Sequence, residues 1–312
     1  MIMAHAALYA HEPTIIPTPR HIITGGDYYR ISPQTTIGAS NKELGPIVEY
    51  AVREIGLVKS HKSPDIKLVI DSSLAEEEYK LSVSANGVSI RGGGYGGVFN
   101  GVTTLMQLLP ADVYDGGLKR GEDVLCCEIS DSPRYEHRGF MLDVCRTWMD
   151  KDAVMSFIDL MAYHKFNSLR LHLTDDEAWR IEIKSHPELA EVGGYRGGYS
   201  PIWPRYGKWN ERWGGYYTQE DMREIIAYAA IRNIEVIPEI DLPGHSLCIA
   251  TIHPEILCDY TPRCASSFGY DTRSAFCASR EDNYKLLTDI LDEVCELFPS
   301  EYIHIGGDEV DM

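Results

Sequence analysis

A chain of 312 residues with 44% hydrophobic content is long enough to bury a sizeable core, and its length suggests about two domains at ~150 residues apiece. Its formal charge of −18 argues against a nucleic-acid binder, which needs a basic surface to neutralise phosphates. No apolar run approaches the ~18 residues that a membrane-spanning helix requires.

The chain starts MIMAHAALYA, without a basic n-region, so residues 1–11 read either as the remnant of a secretory signal or as a disordered start. Between residues 43 and 56, Leu44, Ile47, Val48, Ala51, Val52 and Ile55 recur on a helical period. IKLVI (66–70) reads as a buried strand. YKLSVSANGVSIRG (79–92) alternates apolar and polar residues around Asn86-Gly87, which predicts a hairpin with a type I′ turn. VFNGVTTLMQLL (98–109) predicts a second helix that stops at Pro110. GGGYGGVFNG (92–101) leads into it but lacks the G-K-[ST] ending of a phosphate loop, so it reads as a turn that lets helix and sheet approach closely. Together these elements form a β-α-β-β-α unit, a small α+β N-terminal domain over residues 12–130.

From residue 131 the pattern changes to alternating strands and helices. GFMLDVC (139–145) is strand-like, and Asp150 caps a helix with Val154, Phe157, Ile158 and Met161 on one face. SLRLHLT (168–174) is the next strand. Thr218 and Asp221 form a capping box for a helix carrying Met222, Ile225, Ile226 and Ala229. IEVIPEI (234–240) is the third strand, Leu287, Ile290, Leu291 and Val294 mark a third helix, and YIHI (302–305) is the fourth strand. Such a sequence means parallel strands, in either an open doubly wound sheet or a (β/α)8 barrel. Of eight cysteines, Cys126, Cys127, Cys145, Cys248 and Cys295 sit in apolar contexts suited to buried thiols. Cys258, Cys264 and Cys277 share one loop, where a disulfide such as Cys258–Cys277 fits an exported protein. No paired C-x-x-C or histidine spacing of a zinc site accompanies the cysteines, so no metal and no cofactor is expected.

The polar residues favour the barrel. Strand one ends in Asp143 and Arg146, strand two in Thr174-Asp175-Asp176, strand three in Glu239, Asp241 and His245, and strand four in Asp308 and Glu309. Singly, each has a structural explanation: Arg146 pairing with Asp143, an aspartate capping a loop, a satisfied buried histidine. Four successive strands ending in ionisable groups at one edge are what the catalytic face of a barrel demands. An open sheet would concentrate its site at one switch point. Adjacent strand residues point to opposite faces, so Asp308 and Glu309 enter one pocket only if the backbone turns at the rim. Gly306 and Gly307 permit that turn. A neighbouring anion and partial burial would then keep one carboxyl protonated as an acid, a division of labour suited to glycoside hydrolysis.

HRGFMLDVCR, HLTDDEAWRIEI, VIPEIDLPGH and HIGGDEV together resemble glycoside hydrolase family 20, the β-N-acetylhexosaminidases, from about residue 12 onward. The resemblance implies an α/β fold, the first half (four strands) of a (β/α)8 TIM barrel preceded by a small α+β domain. It implies hydrolysis of terminal non-reducing N-acetylhexosamine residues with retention, the substrate's 2-acetamido group acting as nucleophile. By resemblance Glu309 is the general acid/base, Asp308 orients the acetamide, Arg146 binds sugar hydroxyls, and Asp175 and His245 form a hydrogen-bonded shell around the acid/base. Here the family's DxSR is DVCR, a change that touches no matched position. The implied partners are glycans containing N-acetylglucosamine or N-acetylgalactosamine, and the implied location is periplasmic, cell-surface or extracellular. A barrel takes ~250 residues, whereas residues 131–312 account for four strands, so the barrel reads as truncated after strand four and the chain as a fragment of a longer enzyme. The alternatives are a catalytically incomplete carbohydrate-binding protein of the same fold, or a retaining glycosidase with a carboxylate nucleophile.

Overall fold

The computed structural model describes residues 13–201, 210–258, 274–307 and 309–310. Residues 1–11, Cys264 and Asp308, which figure in the sequence reading, lie outside the described residues. The chain divides into two compact units: Met1–Glu136 with the short stretches Ala162–Lys165 and Ile231–Asn233, and the remainder from His137 onward.

The first unit contains β1 (His21–Ile31), β2 (Thr36–Ala39), α1 (Gly45–Ile55), β3 (Val58–Lys59), β4 (Ile66–Ile70), β5 (Tyr79–Ser84), β6 (Gly87–Gly92), α2 (Tyr95–Gln107) and β7 (Glu122–Asp131). The strands form one seven-stranded sheet in the order β1-β7-β5-β6-β4-β2-β3. Alternation in β5 buries Tyr79, Leu81 and Val83 and exposes Lys80 and Ser84, and each buried side chain of this size contributes ~1.5–3 kcal/mol. The periodic face of α1 is buried as expected, and the helix ends at Gly56, whose φ of +82° and N–H bond to Val52 O make a left-handed cap. Every residue of α2 from Gly96 to Met106 is buried. Its glycines explain how: a Cβ on Gly97 would lie 2.4 Å from Glu78 O, and one on Gly101 2.4 Å from Ile90 Cγ2.

Two details differ from the sequence reading. The β5–β6 hairpin pairs Ser84 with Gly87, so its loop is Ala85-Asn86. The positive φ of +134° falls on Gly87, at the start of the returning strand, so the turn is not the expected type I′. Glycine is needed at 87 because a Cβ there would lie 2.6 Å from Asp65 O. Strands β1 and β7 were also not foreseen. Most β1 side chains are exposed, and its register slips between Thr24 and Tyr28, so the chain carries no clean period of two.

The second unit contains β8 (Gly139–Asp143), α3 (Lys151–Tyr163), β9 (Ser168–Asp175), β10 (Ala178–Trp179), α4 (Pro187–Gly193), β11 (Tyr195–Arg196), β12 (Trp213–Gly214), α5 (Gln219–Ile231), β13 (Glu235–Ile240), α6 (Leu247–Ile252) and α7 (Glu281–Leu297); the last residues of α3 and α5 belong to the first unit. β8, β9 and β13 pair in parallel, with Ser168 opposite both Gly139 and Glu235. β9 is buried along nearly its whole length, as a strand covered on both faces must be. Asp150 Oδ1 accepts from Ala153 N ahead of α3, and Thr218 and Asp221 cap α5 reciprocally.

The expected fourth strand is narrower than YIHI suggests. It is a single bridge between His304 and Glu239, supported by His304 N donating to Pro238 O and by Ile240 N and Leu242 N donating to His304 O and Ile305 O. Among the described residues β13 is its one neighbour, and Tyr302 and Ile305 are exposed. Strand positions thus follow chain order, β8-β9-β13-His304, without the reversal that marks a doubly wound sheet. These are the first four strand positions of a (β/α)8 TIM barrel. Cys258 and Cys277 form a disulfide. Cys127, Cys145 and Cys248 are buried thiols and Cys126 is half-buried, but Cys295 is exposed, one position past the inward-facing Val294 of α7.

Candidate active site

The C-terminal ends of β8, β9 and β13 bring one connected set of charges together. The Asp143 carboxylate accepts from the backbone N–H groups of Cys145 and Arg146 and from Arg146 Nη1 at 2.8 Å. The other arm of the guanidinium, Nη2, lies 2.6 Å from Asp175 Oδ2. Arg146 does pair with Asp143, then, but it also reaches the next strand. Asp175 is fully buried and sits between Arg146, His172 Nε2 at 2.8 Å and His245 Nδ1 at 3.4 Å. Burial pushes its carboxyl up, but the hydrogen bond with His172, the nearby His245 and the Arg146 charge outweigh this and hold it well below the usual carboxylate range.

His172 bridges two strands, with Nδ1 3.0 Å from Glu239 Oε2. Burial alone would favour the neutral ring, but the Asp175 and Glu239 carboxylates push it up to about 10, so it carries both protons at neutral pH. Glu239 in turn meets His304 Nδ1 at 3.0 Å and Arg170 Nε at 3.4 Å. Arg170 Nη1 stands 2.8 Å from His304 Nε2. An arginine can only donate, so His304 Nε2 accepts there, while Nδ1 faces both the Glu239 carboxylate and the donating Gly306 N–H at 3.0 Å.

His245 follows the Asp241-Leu-Pro-Gly turn with a φ of +45° and is buried. The Asp175 and Asp176 carboxylates, 3.4 Å and 3.7 Å from Nδ1 and opposed by burial, push it up to about 11. Asp176 itself fixes the following segment, accepting from Leu247 N at 2.9 Å. The second nitrogen, His245 Nε2, lies 3.4 Å from Glu309 Oε2. Glu309 reaches that point through Gly306 and Gly307, with φ of +63° and +94°, and itself has φ +50°. A Cβ on Gly306 would lie 1.8 Å from Asp241 Oδ1, and Gly307 N donates to that same oxygen at 3.1 Å. The glycines therefore let the chain turn over a buried aspartate. The Glu309 side chain is 70% exposed, so the partial burial expected of the carboxylate pair is not supplied by the described residues.

The structure thus places Arg146, Asp175, His245 and Glu309 in one chain of contacts, while Asp308 falls outside the described residues. Sequence reasoning gave no part to His172, Arg170 or His304. A signal was present: in SLRLHLT the polar Ser168, Arg170, His172 and Thr174 alternate with Leu169, Leu171 and Leu173, which puts Arg170 and His172 on one face. Two groups at the rim, His172/Asp175/Asp241 and Asp175/Asp176/His245, are compact enough to surround a cation.

Residues 135–312 match the family model for the glycosyl hydrolase family 20 catalytic domain, and residues 12–132 match that for glycosyl hydrolase family 20, domain 2. The chain is 37% identical to a β-hexosaminidase of Porphyromonas gingivalis over 95% of its length, covering 38% of that protein. It is 36% identical to a β-hexosaminidase of Vibrio furnissii over 95% of its length, covering 49% of that protein. Among solved structures it resembles the exo-β-N-acetylglucosaminidase of Vibrio harveyi in complex with N-acetylglucosamine, with a TM-score of 0.85, 35% identity, and coverage of 95% of this chain and 47% of the other. It also resembles the N-acetyl-β-hexosaminidase of Streptomyces plicatus, with a TM-score of 0.81, 34% identity, and coverage of 95% and 59%. The chain spans less than half the length of the two curated relatives, yet both of its units match. It belongs to glycosyl hydrolase family 20.

Proposed function

We propose that the protein hydrolyses terminal non-reducing N-acetylhexosamine residues from β-N-acetylhexosaminides, with retention and with the substrate's 2-acetamido group as nucleophile. The observation that carries this reading is the Glu309–His245–Asp175 chain at the rim, with 3.4 Å steps on each side of the imidazole. Glu309 protonates the glycosidic oxygen as the bond breaks and later takes a proton from the incoming water. The protonated His245 beside it stabilises the negative charge that Glu309 acquires in the first step, and Asp175 holds the ring in place. Asp308, adjacent in sequence, orients the acetamide. Arg146 uses two of its donor groups on Asp143 and Asp175 and has others to offer sugar hydroxyls. The relative solved with N-acetylglucosamine supports an N-acetylated sugar as the ligand.

The test compares an aryl N-acetyl-β-hexosaminide with its 2-hydroxy analogue. Substrate assistance predicts strong preference for the N-acetylated sugar; comparable rates would point instead to a carboxylate nucleophile. An exported location completes the proposal, supported by the Cys258–Cys277 disulfide, since such bonds persist in oxidising compartments. Cell fractionation with thiol labelling checks it: recovery in the cytosol with Cys258 reduced would reject export.

A further inference from the structure

Away from the rim, the ends of α4 and α6 bring a second histidine–carboxylate cluster together. His186 immediately precedes α4, Glu188 lies in its first turn, and His253 closes α6. His186 Nδ1 stands 3.5 Å and His253 Nε2 2.9 Å from the same oxygen, Glu188 Oε1. One ligand atom from each of the three residues lies within 4.8 Å of the others. Donors bound tetrahedrally to an ion at about 2.0–2.2 Å stand ~3.3–3.6 Å apart, so the 2.9 Å pair must open slightly to admit an ion, while the 3.5 Å pair already has that spacing. The side chains are 23%, 37% and 21% exposed, which leaves room for water at a fourth position.

The outward nitrogens supply an independent observation. His253 Nδ1 lies 3.0 Å from Glu255 Oε1, and His186 Nε2 lies 3.2 Å from Asp289 Oδ2 on α7. Lys285 Nζ fixes that aspartate at 2.6 Å. A neutral imidazole carries one N–H. Given to the outer carboxylate, it leaves the inner nitrogen with a lone pair aimed at Glu188. Two such lone pairs and a carboxylate oxygen then face one another, an arrangement that a metal ion completes and that a second proton on each ring would otherwise relieve. Carboxylates behind the rings are how proteins orient metal-binding histidines.

We infer that His186, Glu188 and His253 bind one divalent transition-metal ion, Zn2+ foremost, with water completing the coordination. The donor set of two imidazoles and one carboxylate suits this class of ion. Bound there, the ion clasps α4 to α6 and, through Asp289, to α7. The cysteine spacing that argued against zinc in the sequence is silent on this site, because it uses no cysteine and joins the start of α4 to His253, 65 residues beyond Glu188.

The probe is Zn2+ titrated into the metal-stripped full chain near neutral pH by calorimetry, with Co2+ as a spectroscopic substitute. The expected result is one saturable equivalent and the visible bands of Co2+ in a tetrahedral nitrogen/oxygen field. Affinity should collapse in His186→Gln and His253→Gln and stay unchanged in His245→Gln. Glu255→Gln and Asp289→Asn leave all three ligands in place and should weaken binding by about 10–100-fold, so they decide the matter if a histidine variant misfolds. The proposal is overturned by an absence of saturable binding, by binding that survives both histidine substitutions, or by binding lost only in His245→Gln.

Discussion

The rim and the outer cluster are built from the same parts, imidazoles held between carboxylates, yet they differ in water. At the rim the side chains of His172, Asp175 and Glu239 are 6%, 0% and 6% exposed. Charges there are poorly screened, so each group fixes its neighbour's proton, and His172 is pushed up to about 10. The result is an ionised lattice that positions Arg146 and His245. At the outer cluster solvent reaches every member, and a hydrated ion has a route in. Burial thus decides whether a histidine–carboxylate pair is a brace or a ligand set.

The sharpest break of this comparison is at the exposed end of the rim chain. Glu309→Gln is expected to lower kcat/KM by about 10²–10⁴ on substrates with poor leaving groups, and less on activated aryl glycosides, which need little acid help. Equal losses on both would remove Glu309 as the general acid. In the dry part of the lattice, Asp175→Asn leaves Arg146, His172 and His245 facing a neutral group. Breaking a buried pair in this way costs about 3–5 kcal/mol, to be read as a fall in the denaturant midpoint. A loss below about 1 kcal/mol would mean that the lattice is not a brace.

A smaller effect is expected where the chain turns over Asp241. Gly306→Ala meets both a φ of +63° and a Cβ 1.8 Å from Asp241 Oδ1, whereas Gly26→Ala meets nothing within 4 Å. The first should cost at least ~1–2 kcal/mol and lower turnover by displacing Glu309, while the second should stay within ~0.5 kcal/mol. Matching thermal melts for the two variants would show that the glycine turn is dispensable. The smallest effect is a slope. His172 has a raised folded value, so its contribution to stability is complete below the unfolded value of ~6.5 and is lost as pH rises toward about 10. Denaturant midpoints should decline across that window, and His172→Gln should flatten the decline without abolishing it, because His245 is raised in the same sense. Identical slopes in the two proteins would refute the shift.

Much of this was legible from the chain, for identifiable reasons. Strand ends that carry Asp143, Asp175, Asp241 and Glu309 in successive βα units can share a rim only if the strands lie parallel and in order, which is what the structure shows for β8, β9, β13 and His304. What escaped notice was whatever lacked a local period. Arg170 and His172 are the exception: they keep the alternation of β9, but on a strand buried on both faces such residues read as packing. β1 is broken by Gly25-Gly26 and mostly exposed. The His186–Glu188–His253 cluster exists only once α4 and α6 have packed together.

The pairing of β1 with β7 has a consequence in time. His21 lies opposite Ser130 and Ile31 opposite Glu122, so the first strand of this sheet waits for the last. At a synthesis rate of about 5–20 residues per second, that wait lasts roughly 5–20 seconds, while the β5–β6 hairpin can close at once. During the delay β1 is an unpartnered strand with Ile22, Ile23 and Tyr28 on show. Its Gly-Gly-Asp interruption, which bends the finished ladder, also shortens the straight edge it offers to a neighbouring nascent chain. Ribosome-arrested chains that stop short of Glu122 should leave β1 open to protease, and chains that have released Asp131 should protect it. Protection before β7 emerges would show that the first strand finds another partner while it waits.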